Sequence, residues 1–503
     1  MVARGANNSV HCGVPVNGAA AQSTAVPVRD ADPDVTDRTS GTVGRRAAQT
    51  GSPSWYVNVL FVSGIVLAAA VFTYVPYRFF GWTRSLLASG RSGGVVGGAL
   101  FLAVLSIVSG CRWAILFVLA YLEFRRRCRR QPGPSSDVPF VSVFVPAYNE
   151  SETIGPALES LLRLDYPRYE VLVIDDGSTD DTLARARRFE SRQPNCVIRV
   201  LAKPNGGKWS AHNLAFRHAR GELILCLDAD SRLAPDALGR MVARIREPGV
   251  TAVAGQVRVR NRINAVTGLQ GLEYVVGNGS IRMAQGYTGT VLVVPGPIGL
   301  FRREALEEVF RRFGQLGEHE EGAVAGPFEH DTFAEDFDLS LTVLGLGGKV
   351  VYEPTAISDT KGPDGLFGLV NQRYRWCRGT IQVLRKFAIR CRRSEVGRSP
   401  RLIAWLSGTY AYDLLLQPFL FLAGVGLLAG ALLGGGDPLL ILVSLIPLIV
   451  LNAAAASFFV AMHRDDPRIL RYCLIYDLYH AFVMNSVWLI AVVDEIRGRR
   501  MRW

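Results

Sequence analysis

The sequence predicts an α/β domain built on a mostly parallel sheet and flanked, on both its N- and C-terminal sides, by transmembrane α-helices. Two patterns lead there. Apolar residues, 49% of the 503, concentrate in long runs toward the two ends of the chain. Between those runs, short apolar stretches alternate with helical periods, as βαβ units do. A third observation points to chemistry, because acids recur where the short apolar stretches end.

The elements follow in order. Residues 1–54, rich in Ala, Ser, Thr, Gly and Asp without a hydrophobic period, are expected to be disordered. Residues 55–124 hold two spans, YVNVLFVSGIVLAAAVFTYV (56–75) and VVGGALFLAVLSIVSGCRWAILFVLAYL (95–122), each reaching the roughly 20 apolar residues that a hydrocarbon core requires. The first begins too late, and lacks the small-residue cleavage pattern, to be a signal peptide, so it reads as a retained anchor. Leu414 to Leu433, Pro438 to Met462 and Ile469 to Val493 make three further candidates within residues 400–496, ahead of a basic tail at 497–503.

Arginine sets the orientation. The run Arg125 to Arg130 follows the second span and Arg45 and Arg46 precede the first, which places the polar block between the two sets of spans in the cytoplasm by the positive-inside rule. Two features pull against a simple count: Arg78, Arg84 and Arg91 lie between the first two spans, and three C-terminal crossings would leave the basic tail outside. Either one apolar stretch lies flat in the interface, or Ile403 to Leu433 holds more than one element. The net charge of +12 is explained by these flanks and needs no nucleic acid. The eight cysteines form no CxxC pair, and the seven histidines no ligand cluster, so no zinc framework is expected.

The linker QPGPSSDVP (131–139) opens the polar block, residues 139–395. VSVFVPAY, EVLVIDDGS, VIRVLAKP, ELILCLDADS and TAVAGQVRVR read as strands; ETIGPALESLLRL, DDTLARARRFESR, GKWSAHNLAFRHA and PDALGRMVARIRE read as helices. Ligands of such sheets bind beyond the carboxyl ends of the strands. There the chain offers Pro146, Tyr148 and Glu150 after the first strand, Asp175 and Asp176 after the second, and Asp228 and Asp230 after a later one. The acids at Thr179 to Asp181 read better as a helix cap. Asp228 and Asp230 do not, since two acids one residue apart repel unless a cation holds them, and hard oxygen ligands suit Mg²⁺ or Mn²⁺ completed by a diphosphate. Lys208, after Gly206 and Gly207, could meet the same phosphates. Glu335 and Asp336 read as paired acids at a pocket mouth, where like charge and burial would raise one pKa toward the range of a general base; Asp338 reads as an ordinary helix residue. The stretch LVNQRYRWCRG (369–379) brings Gln372, Arg373, Arg375, Trp376 and Arg378 close to the membrane, as either a lipid-interface collar or a binding surface.

The ordered set FVPAYNE, VIDDGSTDDT, GGKWSAHN, LDAD, PGPIGLFRREAL, FAEDFDLSL and QRYRW, from Val141 to about Arg385, resembles the processive membrane glycosyltransferases of family two, the group of cellulose, hyaluronan, chitin-type and poly-N-acetylglucosamine synthases. The resemblance implies a GT-A, Rossmann-like domain. It implies donor-binding roles for Pro146, Tyr148, Glu150, Asp176, Lys208 and Asp228, and a DxD motif in which Asp230, with Asp228, holds Mg²⁺ or Mn²⁺. It implies a catalytic pair Glu335 and Asp336, with Asp336 as base, and an acceptor site at Gln372, Arg375 and Trp376. The family's TED motif begins here with Ala334. The implied reaction is inverting transfer from a UDP-sugar, N-acetylglucosamine foremost, to a growing β-linked polysaccharide exported through a bacterial-type plasma membrane. Membrane lipid is the surrounding partner, and any export partner is unspecified. A hyaluronan- or cellulose-type synthase, and a transferase of one sugar to a lipid phosphate, are the alternatives. The acidic insertion 314–333 has no assigned role.

Overall fold

The computed structural model describes residues 55–88, 93–129, 138–192, 196–314, 323–419 and 438–499, with 422, 426 and 429 singly. The expectations for residues 1–54, for most of the 131–139 linker, for EHEE at 318–321, for most of 414–433 and for the last four residues lie outside that set.

Two long helices come first, α1 (Trp55–Ala88) and α2 (Gly93–Arg129). The α/β block then runs β1 (Val141–Ala147), α3 (Ile154–Leu162), β2 (Tyr169–Asp175), α4 (Thr182–Arg187), β3 (Ser191–Arg192), β4 (Cys196–Ala202), α5 (Lys208–His218), β5 (Leu223–Cys226), β6 (Arg232–Leu233), α6 (Ala237–Ile245) and β7 (Val250–Val259). It continues with α7 (Ala265–Leu272), α8 (Gly279–Thr288), β8 (Gly299–Arg302), α9 (Arg303–Phe313), α10 (Glu335–Gly345), β9 (Lys349–Thr360) and α11 (Leu366–Arg392). The C-terminal helices are α12 (Pro400–Leu406), α13 (Pro438–His463), α14 (Cys473–Tyr479) and α15 (Asn485–Ile496).

The sheet order is β3-β4-β2-β1-β5-β8-β7-β9-β6. Its first half, β4-β2-β1-β5, is parallel, as the βαβ alternation requires. Strands β1 and β2 are buried along their whole length, which is why they read as unbroken apolar runs. The second half is mixed: β8 enters antiparallel between β5 and β7, β7 pairs with β9 in parallel, and β6 closes the edge antiparallel to β9. Val141, Val143 and Val145 face one apolar layer and Phe144 the other, the two-residue period of a covered sheet.

Among the described residues two stretches are long and apolar enough to cross a membrane, Trp55–Tyr74 and Ile107–Arg129; a third exists if Pro467–Tyr479 and Phe482–Ile496, bent by 43°, form one span. The expected span 469–493 is therefore broken, at a π-helical turn over His480–Met484. Aromatic stacking joins these helices: Phe117 of α2 lies 5.3 Å from Phe61 of α1 and 4.5 Å from Phe458 of α13.

The C-terminal end of α2 is tied to the sheet domain by charge. Arg127 pairs with Glu353 of β9, and the fully buried Glu123 pairs with Arg244 of α6. The arginine run therefore does more than mark topology, because part of it is docked.

Candidate active site

The carboxyl ends of β1 and β2 are stapled together. Asn149 adopts φ 55°, a left-handed conformation that Asn tolerates. Its backbone N–H donates to Ser178 Oγ at 3.0 Å, and its Oδ1 accepts the Thr179 N–H at 2.9 Å. Asp180 accepts the Thr182 N–H at 2.9 Å just ahead of α4, whose N-cap residue, Asp181, makes no side-chain capping hydrogen bond of its own.

Asp176, buried at the end of β2, holds the turn into α5. It accepts the backbone N–H groups of Gly206 at 3.1 Å and Gly207 at 2.8 Å and pairs with Lys203. Gly177 has φ +74°, and a Cβ there would lie 2.7 Å from the Asn205 nitrogen, so the turn closes only over glycine.

That turn aims Lys208, the first residue of α5, between two acids. Its Nζ is 2.8 Å from Asp228 Oδ1 and 3.0 Å from Glu335 Oε1, so one cation joins the DxD segment to the ED pair. Burial alone would lower the Lys208 pKa; Asp228 and Glu335 overcome it and hold the ammonium charged well above the ordinary range. The reverse holds for Glu335, which burial would raise and Lys208 keeps low. Gly296 backs this contact, and a Cβ there would come within 3.0 Å of Lys208 Nζ and 3.3 Å of Asp228 Oδ1.

Two carboxyls are pushed the other way. Burial and the adjacent Asp228 raise Asp230 to about 6, against hydrogen bonds to Oδ1 from Ser231 at 3.0 Å and Thr360 at 3.2 Å. Burial and Glu335 raise Asp336 to about 6. Asp336 sits in the first turn of α10, where Oδ1 accepts the Phe337 N–H at 2.7 Å and Oδ2 the Gly296 N–H at 3.3 Å. Glu335 and Asp336 thus titrate apart, one held ionised and the other poised near neutrality.

Helix α11 brings the third group. Trp376 is 40% exposed and stacks beside Tyr274 with ring centroids 6.3 Å apart; Arg375 is exposed and Gln372 half-buried. Arg373 is buried beneath them. It reaches both oxygens of Glu273 at 3.1 and 2.8 Å, donates to Gln372 Oε1 at 2.6 Å and lies 4.2 Å over the Trp376 ring. Arg378 pairs with Glu495 at 2.9 and 2.7 Å. Neither arginine is an interface collar: both are spent inside the protein, fixing the helix that presents Trp376.

These parts face one cavity of about 1780 Å³. Tyr148, Asp176, Lys208, Asp228, Asp230, Glu335, Asp336, Gln372, Arg375 and Trp376 all line it. Pro146 and Glu150 do not line it. Pro146 is paired with Ile174 inside the sheet, and Glu150 turns back to accept the Thr153 hydroxyl. Beyond Trp376 the cavity continues among the apolar helices, where Asp413, Asn452, Asp477 and His480 give it polar walls. The sequence reading missed those, and also Arg282, Trp209 and Tyr410; an isolated polar residue in an apolar run was the available signal for Asp413, Asn452 and Asp477.

Residues 142–310 match the family model "Glycosyl transferase family 2". The poly-β-1,6-N-acetyl-D-glucosamine synthase of Staphylococcus aureus (strain COL) is 29% identical over 288 residues, 56% of this chain and 66% of the relative. An N-acetylglucosaminyltransferase of Rhizobium meliloti is 34% identical over 256 residues, 50% of this chain and 58% of the relative. The matched segment thus spans less than two thirds of these relatives' length. Among solved structures, a mannosyltransferase from Pyrobaculum calidifontis in complex with GDP-Man and Mn²⁺ superposes with a TM-score of 0.54 at 22% identity, covering 79% of this chain and 99% of its own. Residues 142–310 are thus similar to family 2 glycosyl transferases, and the sheet block shares its fold with the mannosyltransferase.

Proposed function

We propose that the protein transfers N-acetylglucosamine processively from UDP-N-acetylglucosamine to a growing β-linked polysaccharide, with inversion, and passes the product outward between its apolar helices. The observation that carries this reading is the shared cavity: acids able to hold a nucleotide diphosphate through a divalent cation, a poised carboxyl, an indole, and polar walls among the apolar helices. The likeness to the synthase and the N-acetylglucosaminyltransferase supports the choice of sugar.

Asp336 takes the proton of an acceptor hydroxyl. The oxygen attacks the anomeric carbon from the face opposite the nucleotide, the bond to the diphosphate breaks, and UDP departs. A pKa near 6 leaves Asp336 ionised at neutral pH yet basic enough to accept that proton. Lys208, released from Asp228 by the incoming donor, would neutralise phosphate oxygens while Glu335 keeps its ammonium in place. The donor set fits a hard divalent ion: Asp228 and Asp230 offer only oxygen ligands, and burial, with the neighbouring Asp228 carboxylate, disfavours the charge on Asp230, which a cation would relieve. When bound there, Mg²⁺ or Mn²⁺ would stabilise the departing diphosphate. Trp376 offers a flat apolar face to a pyranose ring and Gln372 hydrogen bonds to its hydroxyls. In this reading the arginine-rich end of α2 and the catalytic domain face the cytoplasm.

The test uses the full chain in membrane vesicles with Mg²⁺ or Mn²⁺, supplied with UDP-N-acetylglucosamine, UDP-glucose and UDP-glucuronate singly and in pairs, following UDP release and product size. High polymer from UDP-N-acetylglucosamine alone is the expected result. A requirement for two donors would transfer the protein to the hyaluronan-type reaction, and a product that stops at one lipid-bound sugar would overturn processivity.

A further inference from the structure

Among the described residues, one group of three carboxylates is close enough to share an ion: Glu329, Asp331 and Asp338, with oxygens within 4.8 Å of one another. The centre is taken. Lys386 Nζ lies 2.5 Å from Asp331, 2.6 Å from Asp338 and 2.9 Å from Glu329, and Arg390 grips both oxygens of Glu329 at 2.8 and 2.7 Å. Two cations of α11 already pair with all three acids, so the cluster works as a joint between elements.

What the joint connects gives it meaning. Helix α11 carries Gln372, Arg375 and Trp376 in its first half. Asp338 lies on α10 two residues beyond Asp336, and Glu329 and Asp331 lie on the segment 323–334 that leads into α10. Two more contacts run along the same stripe of α11, whose members recur every three or four residues. The Phe333 N–H donates to Gln382 Oε1 at 3.3 Å, and a Cβ on Gly379 would lie 2.8 Å from that of Ala334, so the two elements touch without intervening side chains. The other flank of the segment is held by α5: buried Asn213 accepts the Phe328 N–H at 3.0 Å and donates to the carbonyls of Val324 at 2.8 Å and Phe328 at 2.9 Å. The segment 323–334 thus stands as a strut between the helix that begins with Lys208 and the helix that presents Trp376.

We propose that Lys386 is a positioning residue: by clamping the strut and α10 onto α11, it sets the distance between Asp336 and the acceptor sugar held at Trp376. The inference rests on the reading of Asp336 as base and Trp376 as acceptor platform. The Lys386 side chain is only 13% exposed and is surrounded by the three acids, which leaves it few alternative geometries. Without it the acids repel one another and α11 shifts relative to α10, while the donor end and the start of α10, joined to each other by Lys208, keep their shape. Misplacement of a reacting group by about 1 Å can cost about 100-fold in rate.

The experiment compares the full chain in vesicles with Lys386→Met, Lys386→Arg and Asp331→Asn. It measures donor KM, the rate of polymer formation, the share of UDP released without transfer, and amide hydrogen exchange across 323–334. For Lys386→Met, polymer formation should fall about 10- to 100-fold with donor KM within about twofold, as a misplaced acceptor demands. Untransferred UDP release should rise, exchange in 323–334 should increase, and Lys386→Arg should restore most of the rate. Wild-type polymer formation by Lys386→Met, or a parallel loss in donor KM and rate with unchanged exchange, would overturn the proposal. Should Lys386→Met fail to accumulate, Asp331→Asn carries the test, because that side chain is 48% exposed and the fold does not rest on it. A lowered polymerisation rate at constant donor KM supports the clamp, and an unchanged rate refutes it. A wild-type protein that releases no UDP from any sugar nucleotide would defeat the functional reading instead, leaving the exchange contrast to decide the clamp.

Discussion

Replacing Asp336 by Asn should move stability and activity in opposite directions. Burial and Glu335 raise the folded-state pKa of Asp336 from 3.8 to about 6, a shift of about two units at about 1.4 kcal/mol each, so the ionised side chain strains the fold by up to about 3 kcal/mol. Two discounts apply. The side chain is partly exposed, and an Asn amide would turn an N–H toward one of the backbone N–H groups, Gly296 or Phe337, that the carboxylate now accepts. A net gain of about 1–2 kcal/mol remains. The sign follows from the raised pKa: in the parent protein the stability contribution is fully present below 3.8, is lost as pH rises through about 6, and stays lost above it. Asp336→Asn should therefore melt above the parent at pH 7.5, by an advantage that shrinks steadily as pH is lowered toward 4. Thermal unfolding in detergent micelles between pH 4.5 and 8, paired with UDP-sugar binding and polymer formation, measures all of this. Binding should survive and transfer should vanish. A lower melting temperature at pH 7.5, or a difference independent of pH, would refute the electrostatic argument, and an active variant would remove Asp336 from the role of base.

Three further outcomes are expected. Glu273→Gln leaves Arg373 buried without its bidentate partner and should destabilise the protein by about 3–5 kcal/mol, read as lost thermal stability with the Trp376 environment changed in fluorescence. Gly296→Ala sets a methyl group 3.0 Å from Lys208 Nζ; it should raise donor KM about tenfold, equivalent to about 1.4 kcal/mol, with a smaller effect on the maximal rate. Chelation of divalent ions should abolish UDP release, and Asp230→Asn should raise the metal concentration for half-maximal rate while thermal stability at neutral pH is kept or improved, since the carboxylate is strained there; metal-independent turnover would contradict the DxD assignment.

The sequence showed the parallel half of the sheet clearly, because strands covered on both faces must be apolar throughout, as VSVFVPA and YEVLVID are. It hid β8, a four-residue strand inside the PGPIGLFRR motif, too short for any period to show. The acids at strand ends were visible as chemistry because their spacing is local. Their relations were not: Lys208 meets Glu335 across more than a hundred residues of chain, and Arg373 and Arg378 find Glu273 and Glu495 at separations of 100 and 117. Ion pairs of that kind leave no periodic trace, so a basic, aromatic stretch beside a membrane looked as much like a lipid collar as like a braced platform. The π-helical turns at Glu273–Asn278, Ser407–Leu416 and His480–Met484, each of which places side chains on the cavity wall, carry no sequence signature either.

The pairing of α2 with the sheet domain has a consequence for the order of biosynthesis. Arg127 is translated 226 residues before Glu353, and Glu123 is translated 121 before Arg244. In the membrane-crossing arrangement proposed above, α2 would enter the bilayer while both side chains still lack their partners, which would restrict them to the wet margin of the membrane until α6 and β9 have been made. Severing the chain at the 131–139 linker would strand Glu353 and Arg244 as unmatched charges in the separated domain. The two ion pairs thus couple the seating of α2 to the folding of the sheet domain.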